Sequence, residues 1–228
     1  MRAQILSLAV LAAVAVACSS DRTGGTGPTT PTDSSTVGLT VSVDSGFADR
    51  TAVVGTTVPA HVHVTKAGQP AAGVTVAWTV STGGGTVSAA SSVSDASGAA
   101  VTSWTLNDTV RVSTLTAAVV GVSSTTLQVT TIGGAAAAVV KASADSVAVV
   151  AGSSTLLTVR VTDKTGNPVT GAAVAWTATG GSLTTTTTTT GASGNGQVVF
   201  STDGTPKSYT VTATVAGIGA LTFKVVGL

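Results

Sequence analysis

Two histidines separated by one residue are the most suggestive chemical pair in the sequence. His61 and His63 lie in a stretch of alternating apolar and polar residues, which predicts that both imidazoles project from the same face of a β-strand. Two imidazoles at this spacing are able to bind zinc, but a zinc site takes at least three protein ligands. The sequence has only these two histidines, and its one cysteine is Cys18. We therefore expect two solvent-facing histidines and no metal site.

Nucleophilic catalysis has little support. Serines are abundant, but none lies in a Gly-x-Ser-x-Gly turn, and both histidines fall within one predicted strand. Asp145, Asp163 and Asp203 occupy turn sequences and lack the paired spacing of calcium ligands, so turn formation is the favoured interpretation. The sequence therefore predicts no catalytic residue, no cofactor and no metal.

The composition is that of a β protein with few charges. Charged residues make up 8% and aromatic residues 3% of the 228 positions, and the formal net charge is +1. Valine and threonine, which suit a pleated and half-buried surface, are frequent. A balanced charge offers no basic surface for nucleic acid, so we expect no nucleic-acid partner.

The N-terminus predicts export. Arg2 precedes a short apolar run, and Ala15-Val16-Ala17 is a small-residue cleavage site followed directly by Cys18, so residues 1–17 read as a signal peptide. The segment resembles the bacterial lipoprotein signal, which implies a lipid on Cys18 and an anchor in the outer membrane or at the cell surface. Simple secretion is the alternative. Residues 18–37 are rich in Ser, Thr, Gly and Pro, which predicts a disordered linker.

The remaining chain contains an internal repeat. The segment Val-Ala-Trp-Thr around Trp78 recurs around Trp176, 98 positions later, and each copy follows a Pro and a Gly at the same spacing. A repeat of this length is a whole domain. We therefore predict one domain at 38–133 and a second at 134–228, with Gly196 equivalent to Gly98.

Each copy has the pattern of a β-sandwich. About seven short alternating segments are separated by turns, among them one strand predicted at 182–189, and helical periodicity is absent. Trp78 and Trp176 share parity with the neighbouring valines, so both indoles are predicted to lie in the core. The fold prediction is all-β: two tandem immunoglobulin-like β-sandwich domains after a signal peptide and a disordered linker.

Trp104 has no tryptophan counterpart in the second copy, where Thr202 or Phe200 lies nearby. Two interpretations stay open for it. The indole is either part of the core or an exposed ring that stacks on a sugar, and in the second case Trp104 is a possible ligand contact.

The turn sequences carry a family resemblance. Asp163-Lys164-Thr165-Gly166-Asn167-Pro168, followed by Trp176, resembles the bacterial Ig-like domain of the intimin/invasin type, called Big-1. Gly68 and Pro70 repeat the turn in the first copy, which lacks the Asp and has Gln69 in place of Asn167. The resemblance implies the sandwich fold and the role of a stalk in surface adhesins.

These observations lead to a non-enzymatic function. We expect a lipid-anchored cell-envelope protein whose tandem domains act as a structural or adhesive surface module or spacer. The alternative is a carbohydrate- or polymer-binding module at the cell surface. The expected partners are the membrane, through the lipid on Cys18, and a surface protein or glycan.

Overall fold

The computed structural model describes residues 36–44, 47 and 50–228. The predicted signal peptide, Cys18 and all but the last two residues of the predicted linker lie outside the described residues. Among the residues that are described, no helix is long and apolar enough to cross a membrane. The described residues belong to a compact unit that runs from Ser35 to Leu228.

The strands are short and follow the alternation of β-branched and polar residues. In the first domain they are β1 (Leu39–Val43), β2 (Arg50–Val53), β3 (Thr57–Lys66), β4 (Gln69–Pro70), β5 (Thr75–Thr82), β6 (Thr86–Val87), β7 (Ser91–Val93), β8 (Ala99–Thr105), β9 (Val112–Val119) and β10 (Ser123–Ile132). In the second domain they are β11 (Ala138–Lys141), β12 (Ser146–Val149), β13 (Ser154–Thr162), β14 (Ala173–Ala178), β15 (Ser182–Leu183), β16 (Thr187–Thr189), β17 (Asn195–Ser201), β18 (Ser208–Val215) and β19 (Gly219–Gly227).

Each domain is a sandwich of two sheets with the same topology. The first domain has the strand orders β1-β3-β8-β6, with β4 paired to β3, and β2-β10-β9-β5-β7. The second domain has β11-β13-β17-β15 and β12-β19-β18-β14-β16. The pairs β2–β10 and β12–β19 are parallel. The first strand of each domain thus belongs to one sheet and the next short strand to the other, which ties the two sheets together at the start of the domain. The fold is the predicted tandem β-sandwich.

The core lies between the sheets and consists of alternate residues of each strand. In β3 the inward positions are Val58, Ala60, Val62 and Val64, all buried. Trp78 and Trp176 are 3% and 1% exposed and lie opposite Ala117 and Ala213 in the neighbouring strands. The small alanines leave room for the indoles between the sheets.

The central indoles also have hydrogen-bond partners. Trp78 Nε1 donates to Ser92 Oγ at 2.9 Å, and Trp176 Nε1 donates to Thr188 Oγ1 at 2.8 Å. In the second domain the Trp176 ring stacks on Phe223, with 6.3 Å between centroids. A buried indole N–H without an acceptor would oppose folding, so these hydroxyls on β7 and β16 are part of the core design.

Trp104 is fully buried, and this corrects the prediction that it is a possible ligand contact. On β8 the inward positions are Ala100, Thr102 and Trp104, so parity turns the ring into the core. Its counterpart in the second domain is Phe200, since Trp104 lies opposite Val87 on β6 and Phe200 lies opposite Leu183 on β15. A ring with no exposed surface cannot stack on a sugar.

The repeat is not of constant length, which changes two further expectations. The main-chain N–H of Trp78 donates to the carbonyl of Ala90, and the main-chain N–H of Trp176 donates to the carbonyl of Thr186. The second copy is therefore two residues shorter in this segment. Gly98 therefore corresponds to Gly194 and not to Gly196: each of these carbonyls accepts from a core valine of the neighbouring strand at 2.8 Å. The single strand predicted at 182–189 is in fact β15 and β16, which belong to different sheets, because the chain crosses from one sheet to the other between them.

Candidate functional site at the domain junction

The two histidines lie on the same face of β3, and the described residues around them do not form a metal site. Both side chains are half-buried on the face opposite Val62 and Val64. His63 Nε2 is 3.9 Å from a carboxylate oxygen of Asp44. Across the described ranges, no three His, Cys, Asp or Glu side chains come close enough to hold a metal ion.

The best-formed polar site is the turn between β13 and β14. Gly166 has a φ of +86°, in the left-handed region that favours glycine, and its N–H donates to Asp163 O at 3.1 Å. Pro168 pairs with Thr162 in an isolated β-bridge. The predicted turn residues Gly166, Asn167 and Pro168 thus close a tight loop at the end of β13.

Asp163 organises this turn with both carboxylate oxygens. Oδ1 accepts from the Thr165 amide at 2.9 Å, the Thr165 hydroxyl at 2.8 Å and the Asn167 amide N–H at 2.9 Å. Oδ2 accepts from Gly134 N at 3.0 Å and from Asn167 Nδ2 at 3.1 Å. Gly134 belongs to the segment that links the domains, so the carboxylate fixes the turn and the linker together. Five donors saturate the two oxygens, which leaves no lone pair for a cation.

The carboxylate of Asp163 is held in its charged form. Burial of this side chain, which is 4% exposed, would by itself raise the pKa of Asp163. The hydrogen bonds from Gly134, Thr165 and Asn167 outweigh burial and hold the pKa of that carboxyl well below its usual range. The group is therefore a permanent acceptor at the junction under any physiological condition.

Asn167 extends the turn across to the first domain. Its Nδ2 donates to Asp108 O at 2.7 Å, and its Oδ1 accepts from Val110 N at 3.2 Å. Both partners lie in the loop between β8 and β9, 57 and 59 residues away in sequence. Asn167 is buried, whereas Asp108 is exposed and Val110 is half-buried, so these bonds are partly shielded from water. The neighbouring residues make a close fit as well, since a Cβ at Gly133 would lie 2.3 Å from Pro168 O.

The equivalent turn of the first domain lacks the carboxylate and the asparagine. Thr65 pairs with Pro70 as Thr162 pairs with Pro168, which makes Gln69 the counterpart of Asn167. This turn is one residue shorter, Lys66 and Gln69 are exposed, and no carboxylate lies within it. Gly68 has a φ of +80°, as the turn requires, so the two turns share backbone geometry at the glycine and differ in side-chain chemistry.

The sequence interpretation missed the first-domain half of this site. Asp108 and Val110 contribute main-chain atoms, which every residue type possesses, so no sequence signal marks them. It assigned Asp203 to a turn but did not predict the polar cluster around this residue in the loop between β17 and β18. There Asp203 accepts from Tyr209 Oη and from Lys207 Nζ, and these bonds, with one from Thr205, lower the pKa of Asp203, that from Lys207 contributing most.

The fold defines a class of protein, that of tandem Ig-like β-sandwiches. Residues 134–225 match the model of the bacterial Ig-like domain (group 1), so the second domain belongs to this family and the chain carries the intimin/invasin type of domain. A comparison with curated protein sequences gave no significant match.

Solved adhesin structures share the architecture. InvD of Yersinia pseudotuberculosis is 19% identical with a TM-score of 0.57, over 84% of this chain and 58% of InvD. The Escherichia coli adhesin FdeC is 19% identical with a TM-score of 0.52, over 84% of this chain and 65% of FdeC. The D0-D1 domain of intimin is 22% identical with a TM-score of 0.35, over 82% of this chain and 94% of that chain. This chain thus spans about three-fifths of InvD and FdeC, and at these identities the likeness to these two is one of fold alone.

Proposed function

We propose that the chain is a lipid-anchored cell-envelope protein whose two Ig-like domains form a non-enzymatic structural or adhesive surface module, with a spacer as its basic role. The proposal combines the Big-1 type of domain with the predicted lipoprotein signal at Cys18. The fold is shared with the adhesin FdeC, and this likeness supports export to the outer membrane or cell surface as the proposed location of this chain.

The observation that carries the spacer role is the direct bonding between the two domains. Asp163 accepts five hydrogen bonds that tie the turn to the linker, and Asn167 binds the main chain of the preceding domain. We infer that these bonds limit bending at the junction, which is what a spacer requires.

The rival function, a carbohydrate- or polymer-binding module, has lost its main support. Its sequence evidence was Trp104, which is buried. Both other tryptophans are buried as well, and sugar recognition by proteins relies heavily on exposed aromatic rings. A surface protein remains the proposed partner at the far end of the spacer.

The test compares reach with surface chemistry. Cells producing the chain with a C-terminal tag are probed with an antibody that does not enter the cell. The spacer role predicts that deletion of residues 134–228 lowers antibody access to the tag. The paired change His61→Ala and His63→Ala, on the outer face of the first domain, should leave access at the wild-type level.

A binding assay tests the alternative, a carbohydrate- or polymer-binding module. The purified chain from Ser35 onward, a compact unit, is titrated with a panel of cell-wall glycans. Saturable micromolar binding to one glycan, together with tag access that survives the deletion, would replace the spacer with the binding module.

A further inference from the structure

Asn167 binds the main chain of the preceding domain in one orientation only. Its Nδ2 faces three acceptors, namely Asp108 O, Asp163 Oδ2 and Thr165 Oγ1, whereas its Oδ1 faces the Val110 N–H. A rotated amide would set its N–H groups against the Val110 N–H and its oxygen against the Asp163 carboxylate. The surrounding atoms therefore fix the amide, and the amide fixes the loop.

The two main-chain partners of Asn167 are two positions apart and flank a bend in the loop between β8 and β9. Asp108 offers its carbonyl and Val110 its N–H, and the one side-chain amide binds both. Because both bound groups belong to the main chain, the Asn167 side chain recognises the path of the loop rather than its side chains.

The second domain cannot offer the same pair of groups. Thr131 N bonds to Arg111 O in the first domain, and Gly227 N bonds to Lys207 O in the second, so the loops align with Lys207 opposite Arg111. Val110 then corresponds to Pro206, which has no N–H. The first domain, in turn, has exposed Gln69 where the second has Asn167 and lacks a counterpart of Asp163. Each domain therefore carries one half of the junction.

We propose that the junction is an order-specific lock: the Asp163–Asn167 turn of the second domain recognises the main chain at Asp108 and Val110 of the first, and this recognition holds the domains in one orientation. The purpose of the lock rests on the proposed spacer function, but its geometry does not. The partner that fits the Asp108–Val110 loop is any following domain whose turn presents a carboxylate and an amide four residues apart.

The experiment uses the chain from Ser35 to Leu228, which contains no cysteine because Cys18 is the only one. Cysteines introduced at Thr126 and Thr222, exposed and equivalent positions of β10 and β19, carry a pair of spin labels. The distribution of distances between the two labels is measured by pulsed electron paramagnetic resonance. A single narrow distribution is expected for the wild-type sequence.

Two substitutions open the lock from its two sides. Asn167→Ala removes the side-chain amide of the turn. Val110→Pro removes the main-chain N–H that this amide binds, and proline is the residue that the second domain has at the equivalent position, Pro206. Both should broaden the distribution. In the Asn167→Ala chain, hydrogen exchange of the Val110 amide should accelerate by about tenfold, the effect of losing one bond worth about 1.4 kcal/mol.

Gln69→Ala is the matched control, because it alters the equivalent turn residue of the first domain, which takes no part in the junction. Its distribution should equal that of the wild type. Unchanged distributions for both Asn167→Ala and Val110→Pro would overturn the lock, and so would equal broadening by Gln69→Ala. If the variants broaden the distance distribution but antibody access to the tag stays at the wild-type level, the lock is lost and the spacer function still holds. If the wild-type distribution is narrow but deletion of residues 134–228 does not lower antibody access, only the spacer function is refuted.

Discussion

At the scale of single residues, the central tryptophans support each sandwich independently. Trp78 and Trp176 are buried in separate cores, and each has its own hydroxyl partner. Truncation of a buried indole leaves a cavity that the surrounding strands fill only in part. Trp78→Ala and Trp176→Ala should each lower the free energy of unfolding by about 3–5 kcal/mol, mainly in the domain that carries the change. Urea titration, followed by circular dichroism of the β-sheets in both domains, measures this.

The control for these substitutions keeps the ring and removes its partner. Ser92→Ala leaves the Trp78 indole in place without an acceptor and should cost about 1–3 kcal/mol. A cost below about 1 kcal/mol for Trp78→Ala would contradict the burial of this ring.

At the scale of elements, the turn between β13 and β14 depends on a charge. Asp163→Asn replaces an oxygen that accepts hydrogen bonds by an amide group that would face donors, either at Gly134 or at Thr165 and Asn167. We expect a loss of about 1–3 kcal/mol in the unfolding free energy of the second domain. Asp95→Asn, in an exposed turn of the first domain, should cost less, because only one oxygen of Asp95 accepts bonds there and the amide group can take the other place.

The same turn gives a pH dependence with a defined sign. The folded-state pKa of Asp163 lies below its unfolded value, so the unfolded chain binds the proton first as the pH falls. The stabilisation by the carboxylate is therefore complete above the unfolded-state pKa of about 3.9 and is lost progressively below it. The difference in stability between wild type and Asp163→Asn should be constant from pH 7 to about pH 5 and should shrink in more acidic buffer. A difference that grows on acidification would contradict the assigned hydrogen bonds.

At the scale of the whole molecule, the proposed membrane location depends on Cys18, which lies outside the described residues. If Cys18 carries lipid, Cys18→Ala should move the protein from the membrane fraction to the soluble fraction. One acyl chain binds a membrane marginally, whereas two or more hold it stably. Cell fractionation with mass measurement of the purified protein checks both parts. Wild-type protein that is already soluble and has an unmodified mass would favour simple secretion.

The sequence by itself determined the all-β tandem architecture. Strand faces follow from a period of two, and this local property placed Trp78, Trp176 and the valines of β3 on inward positions without any knowledge of the sheets. The positive φ at Gly68 and Gly166 is local in the same way, since only the conformational freedom of glycine is involved. The same parity predicts that Trp104 points inward, but the second copy has no tryptophan at the equivalent position. Only the strand pairing shows that Phe200 is its counterpart.

Only the tertiary structure decided what the turn at Asp163 does. Its sequence marks a turn, yet the groups that Asn167 binds are main-chain atoms 57 and 59 residues away, and main-chain atoms leave no trace in a sequence. The sequence also did not reveal that residues 182–189 form two strands, β15 and β16. Every threonine in this run has the same preference for strand, so nothing in the run marks the point where the chain changes sheets. Side-chain period is encoded locally, whereas the choice of sheet and the meeting of the two domains depend on residues far apart in the chain.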